Sequence, residues 1–362
     1  MSLSSINLST LNSPSLVTAA GIVLYGSTPW IQNFALEASF PVLATTRALS
    51  YFINIASVSV PGRMDGDTSE MKEGSMSATK GTSLVTPRGW AFAIWGPIFV
   101  GELISVMAPF VSWNHPNNHQ TKEEWMKMIR ATSGPFMTAQ LFQSLWCAAF
   151  RPKYTGYARW ISTGMLSMTA LCLNEAHRTL TIRSETSSSS TTTSSSMNVL
   201  NTAIYSLPIA LHFGWTTAAS LVNLNGSLSK FQNMLSLRTR TIIGHASVGV
   251  ASCIGIIITL QRQAPVYGGV IAWALSAIAD SMNQRLLCMD SDPQDVLNHT
   301  HNNNKNNNKN KQQEKKDDNQ SMVLVPDRKS IMIQRFLCKT GALMNIFAMA
   351  FVTELRFSSS SS

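Results

Sequence analysis

The sequence predicts an all-α fold, a multi-pass transmembrane helical bundle, and three observations carry that expectation. Of 362 residues, 44% are hydrophobic and only 13% are charged, whereas roughly a quarter of the residues in soluble domains are charged. The charges crowd into connecting segments. They leave windows such as 89–110, 157–176, 241–260 and 264–282 nearly free of them, each about the ~20 residues a helix needs to cross hydrocarbon. Finally, two of the apolar stretches hold tryptophan: 86–99 with Trp90 and Trp95, and 207–223 with Trp215. Rings that join an apolar body to an N–H donor suit a bilayer interface or an aromatic-lined cavity.

Eight membrane segments are expected, at about 40–60, 89–110, 135–150, 157–176, 199–222, 241–260, 264–282 and 330–352. Residues 1–39 precede them with no assigned role: they are rich in Ser, Leu and Thr, and the first basic residue is Arg47. An Arg-rich presequence is therefore not expected, and 15–26 lacks the positive n-region of a signal peptide. Segment two opens at Pro87 and Gly89 and carries Pro97 near its start. Segment three is short, running from Gly134 and Pro135 to Arg151 and Pro152, so its ends need protein neighbours. Pro208 falls in the middle of segment five, where a proline bends a helix and opens space beside it. Gly244, Gly249 and Gly255 in segment six suit close helix packing. Arg335 and Lys339 lie one helical turn apart in segment eight and must snorkel or face the bundle interior.

The polar insertions divide the chain. The Ser/Thr tract 184–196, the Asn/Lys-rich loop 290–329 and the terminal Ser run 358–362 bury too little apolar surface to offset chain entropy and are expected to be disordered. Lys and Arg are in excess in the loops after segments one, three, five and seven, which places those loops in the cytoplasm and both termini outside. On that orientation the glycosylation sequons at Asn225, Asn298 and Asn319 stay unmodified. The formal charge of +9 is scattered over segment ends with no basic face interleaved with aromatics, so a nucleic-acid partner is not expected and the lipid bilayer is. The five cysteines are odd in number and lack Cys-x-x-Cys spacing, giving neither a disulfide framework nor a metal site. Organelle and self-association stay open.

Pro87, Gly89, Trp90, Phe92, Trp95 and Gly96 resemble the tryptophan-bearing second helix of the translocator protein family, also called the tryptophan-rich sensory protein (TspO) or peripheral benzodiazepine receptor family. Gln140, Leu141, Phe142, Gln143 and Trp146 resemble its third helix, and Trp215 with Asn223 eight residues on resembles its fifth. The resemblance covers about residues 40–225. Trp90 and Trp95 stand five apart where compact members have six, Ser144 replaces a tryptophan, and the chain continues past five helices, so it looks like an extended, divergent branch. The organisation that follows is a segment 1–39 of unknown role, a TspO-like bundle over 40–225, additional membrane helices over 226–289, a disordered loop over 290–329, and a C-terminal helix with a Ser tail over 330–362. What the resemblance implies is a bundle enclosing a cavity for a porphyrin, haem or a sterol-like lipid, with no obligatory cofactor, serving to sense or transport that hydrophobic small molecule.

The residues themselves supply candidates for such a site. Trp90, Phe92, Trp95, Trp146 and Trp215 are the rings on which a flat ligand would stack; Trp90 and Trp95 point to different sides of a regular helix and share a pocket only if that helix is bent. Gln143 and Asn223, with Gln140, are amides within apolar segments, suited to joining helices or to touching ligand. His212 and His245 each offer an imidazole nitrogen that iron could take as an axial ligand. Glu102 is the deepest carboxylate and would carry a proton in a coupled transporter, while Glu175 and Asp280 lie near Arg178 and Arg285 and suit end pairs. No nucleophile elbow, phosphate-cradling loop, zinc signature or carboxylate pair is present, so an enzyme is not expected, although pigment-dependent porphyrin breakdown needs none of them.

Overall fold

The computed structural model describes residues 12–59, 82–112, 119–151, 154–188, 202–231, 234–290 and 325–360. Every regular element among them is helical. In chain order these are α1 (Pro14–Glu37), α2 (Phe40–Val58), a 3₁₀ turn (Gly89–Ile94) running into α3 (Trp95–Ser112), α4 (His119–Ala149), a short 3₁₀ turn leading into α5 (Arg159–Ser188), a π-type turn (Thr202–Ser206) leading into α6 (Leu207–Ser229), α7 (Leu237–Gln261), α8 (Pro265–Asp290) and α9 (Arg328–Ser360). The all-α expectation holds, and the described part of each of the eight expected segments overlaps a helix.

The differences lie at ends and breaks. The segment left without a role contains α1: Ser13 accepts from the Leu16 N–H and Pro14 occupies the first turn, where its missing donor costs nothing. Helix α1 packs on α4 and α5. Helix α4 starts at His119, well before the expected 135, and carries Pro135 in its interior. Pro208 sits at the start of α6 rather than in its middle, because the turn Thr202–Ser206 absorbs the preceding residues. Helix α5 continues to Ser188, into the Ser/Thr tract, and α9 to Ser360, into the terminal Ser run. Most of the Asn/Lys-rich loop lies outside the described residues.

Among the described residues, three stretches are long and apolar enough to cross a membrane: Gly89–Val111, Leu237–Gln261 and Arg328–Arg356. Large apolar side chains also point outward along the bundle, among them Trp30, Val111, Phe336 and Phe347. Large apolar side chains exposed in such number along several helices suit a lipid-facing surface.

Helix α6 is the hub. It packs against α3, α5, α7 and α8, which is why Ile209, His212, Phe213, Trp215 and Thr216 are all buried around its circumference. Two glycines set how closely its neighbours approach. A Cβ on Gly101 of α3 would stand 2.8 Å from Pro208 Cγ, and one on Gly214 would stand 2.9 Å from Val270 Cβ of α8. Of the three glycines expected to serve packing in α7, Gly244 meets Leu84 and Gly255 meets Asn345 of α9, but Gly249 faces open space.

Candidate functional site

A buried polar layer joins α2, α3, α4 and α6. The Glu102 carboxylate is fully buried; Oε1 lies 2.6 Å from His212 Nδ1, and Oε2 accepts from Gln140 Nε2 at 3.0 Å. Asn54 Nδ2 donates to the side-chain oxygens of Gln140 and Gln143, the latter at 3.0 Å. One turn away, fully buried Arg47 reaches the hydroxyls of Ser105 and Ser133 and lies over the Phe136 ring, 4.5 Å from its centroid. A charge withdrawn from water needs such partners or it costs several kcal/mol (about 3–5 when one partner of a buried pair is removed).

Against this layer lies an aromatic cavity of about 120 Å³, walled by Phe92, Trp95, Trp146, Phe150, Tyr154 and Trp215. Helical periodicity explains who lines it. Trp215, Ala219, Val222, Asn223 and Gly226 follow the spacing of one face of α6, Trp146 and Ala149 that of α4 with Phe150 just past its end, and Ser162 and Leu166 that of α5. Phe92 and Trp95 share the cavity because residues three apart eclipse in a 3₁₀ turn. Trp215 meets Phe92 edge-on at 5.5 Å and Trp95 at 6.1 Å, while the opposite side of Trp95 is stacked on Phe99 at 5.0 Å. Trp95 also meets His212 edge-on at 5.6 Å. One ring thus separates the cavity from the Glu102–His212 pair.

Five of the residues expected at a ligand site therefore converge: Phe92, Trp95, Trp146, Trp215 and Asn223. The other three lie elsewhere. Trp90 is 41% exposed and turned to α8, where its N–H donates to Asp280 at 3.1 Å and its ring meets Trp273 edge-on at 4.7 Å. Gln143 is bound up with Asn54, and His212 with Glu102. Asp280 pairs with Arg88 at 3.3 Å, not with Arg285, whereas Glu175 does pair with Arg178, at 2.7 Å. His245 is held by Gln334 at 2.6 Å. The cavity residues that sequence reasoning missed are chiefly Phe150, Tyr154, Arg151, Arg159, Ser162 and Lys230. Stepping three and four residues on from Trp146 would have reached Ala149 and Phe150; the others sit at helix ends, whose placement depends on the loops.

The family model for TSPO-like protein matches residues 43–289, well over half of the chain. The chain belongs to the TSPO-like protein family. No curated protein and no solved structure matches it. The match runs from α2 through α8, beyond the stretch 40–225 that carries the resemblance in sequence, so α7 and α8 share in it. With its apolar helices, this TSPO-like protein is an integral membrane protein of the TspO type.

The cavity is small and holds two unsatisfied donors. The indole N–H groups of Trp146 and Trp215 are buried and make no hydrogen bond within the protein, a condition that costs about 1–3 kcal/mol per group until an acceptor arrives. Its volume lies below the roughly 300–1,000 Å³ of sites that swallow a drug-sized molecule.

Proposed function

We propose that this protein binds a hydrophobic planar ligand, a tetrapyrrole before a sterol, in the cavity between α4, α5 and α6, and senses or moves that ligand within or across its membrane. The observation that carries the reading is the convergence of Phe92, Trp95, Trp146 and Trp215 on one cavity from three separate stretches of chain. Indole rings offer a flat tetrapyrrole broad stacking contact, and a sterol gains less from them because its puckered body stacks poorly. On this reading the long helices that fall short of the apolar length of the three best spans cross the bilayer as part of the bundle, shielded by their neighbours. Titration of the purified full-length protein with protoporphyrin, haem and a sterol, followed by tryptophan fluorescence, tests it. Saturable quenching by the tetrapyrroles at micromolar concentration or below is expected; a response to none of the three would contradict the reading.

A second reading, proton-coupled transport, draws on the Glu102–His212–Gln140 chain. A carboxylate and an imidazole in hydrogen-bond contact inside a membrane protein are the parts from which proton relays are built. Uptake that follows an imposed pH gradient in proteoliposomes and disappears in Glu102→Gln would favour it.

A further inference from the structure

The polar groups around the cavity have one sign. Its lining includes Arg151 two residues past α4, Arg159 at the first position of α5 and Lys230 just after α6, and among the described residues no Asp or Glu. Arg159 and Lys230 form no ion pair among the described residues. Burial, and then the neighbouring Arg159, hold the Lys230 ammonium below its ordinary value. The uncharged groups between them are spent on one another: Ser162 donates to the Arg159 carbonyl at 3.0 Å and accepts from Asn223 at 3.2 Å, and Ser227 lies 3.3 Å from Thr163. What remains to meet a ligand is Arg159 and Lys230 together with the two buried indole N–H donors of Trp146 and Trp215.

We propose that the ligand is an anion whose carboxylates are received by Arg159 and Lys230, with Arg151 beside them, while its flat apolar body enters between Trp146 and Trp215. This deepens the reading of the cavity as a planar-ligand site and rests on it. The physical case is complementarity: like charges gathered at a half-buried mouth repel each other, a carboxylate relieves that repulsion, and charge-assisted contacts to guanidinium and ammonium are stronger than neutral ones. A neutral sterol would leave the cations as they are. A fatty acid presents the same carboxylate on a flexible chain that gains little from indole walls.

The test uses the full-length protein in zwitterionic nanodiscs, titrated with protoporphyrin and with its dimethyl ester, which keeps the ring and blocks both carboxylates. The free acid is expected to bind about tenfold or more tighter than the ester, the scale of one hydrogen bond to a charged group. Arg159→Gln combined with Lys230→Gln should erase that preference by bringing the free acid down to the affinity of the ester, and an unfolding midpoint close to that of the wild type shows that the variant is folded. Equal binding of acid and ester, or a preference that survives the double substitution, overturns the anion proposal and leaves the planar-ligand reading standing. Binding of neither overturns both. Palmitate supplies the remaining arm: failure to displace protoporphyrin supports the flat anion, whereas displacement at equal concentration assigns the carboxylate to an acyl chain and overturns the proposal.

Discussion

Glu102 Oε1 and His212 Nδ1 lie 2.6 Å apart, both side chains fully buried, and this contact ties α3 to α6 one ring away from the aromatic cavity. The second carboxylate oxygen is held by Gln140, so the acid is fixed from two helices at once. Removing it strands several groups. Glu102→Ala leaves the His212 and Gln140 donors unpaired in a dry interior and is expected to destabilise the fold by about 3–5 kcal/mol. Glu102→Gln keeps the size and one acceptor and should cost less. Thermal unfolding of the detergent-purified variants checks the order; equal midpoints for wild type and Glu102→Ala would contradict it.

Function separates the two uses of this pair. If it serves only to join helices, Glu102→Gln binds protoporphyrin as the wild type does and changes no response to pH. If it carries protons, the same variant still binds but loses transport driven by a pH gradient. Binding and proteoliposome uptake measured on one preparation decide between them, and loss of both would mean that the substitution has disturbed the cavity itself.

Helix contacts give a prediction independent of ligand. Gly214→Ala places a methyl group 2.9 Å from Val270 Cβ and 3.3 Å from the Tyr267 carbonyl, with backbone on one side and a β-branched side chain on the other. Helices α6 and α8 must part, at an expected cost of about 1–3 kcal/mol. Gly249→Ala meets nothing within 4 Å and should be neutral or raise the unfolding midpoint, since alanine exceeds glycine in helix propensity by about 1 kcal/mol. A midpoint unchanged by Gly214→Ala would show that α8 is not docked on α6 as described.

The apolar windows and the spaced tryptophans made the helical bundle and most of the cavity's aromatic wall legible in sequence, because composition and periodicity are local. Helix α1 was not legible: Ser, Thr, Gly and Asn dilute its apolar run and no basic residue flanks it, so nothing marks Trp30 as an outward-facing ring. The first turns of α4 were hidden by Lys122, Glu123, Glu124 and Lys127, which read as loop. Arg47 stood out only as the first basic residue, yet it is fully buried against Ser105, Ser133 and Phe136. His212 read as a candidate iron ligand because its partner, Glu102, is 110 positions away and only the packing of α3 on α6 brings them together. The sequon at Asn225 is likewise explained by structure: its amide is buried within α6 and donates to Ser247 at 2.8 Å, leaving no room for a glycan, whereas Asn298 and Asn319 lie outside the described residues.

The central claim is that the rings of the cavity, and not tryptophan in general, hold the ligand. Equilibrium binding of protoporphyrin, read from the absorbance of the pigment so that loss of an indole does not alter the signal, is the most direct measurement. Trp215→Ala and Trp146→Ala are each expected to weaken binding by about 0.5–1.5 kcal/mol beyond the lost area, while Trp30→Ala, 78% exposed on α1, leaves it unchanged. Equal affinity for the wild type and all three variants would contradict the account.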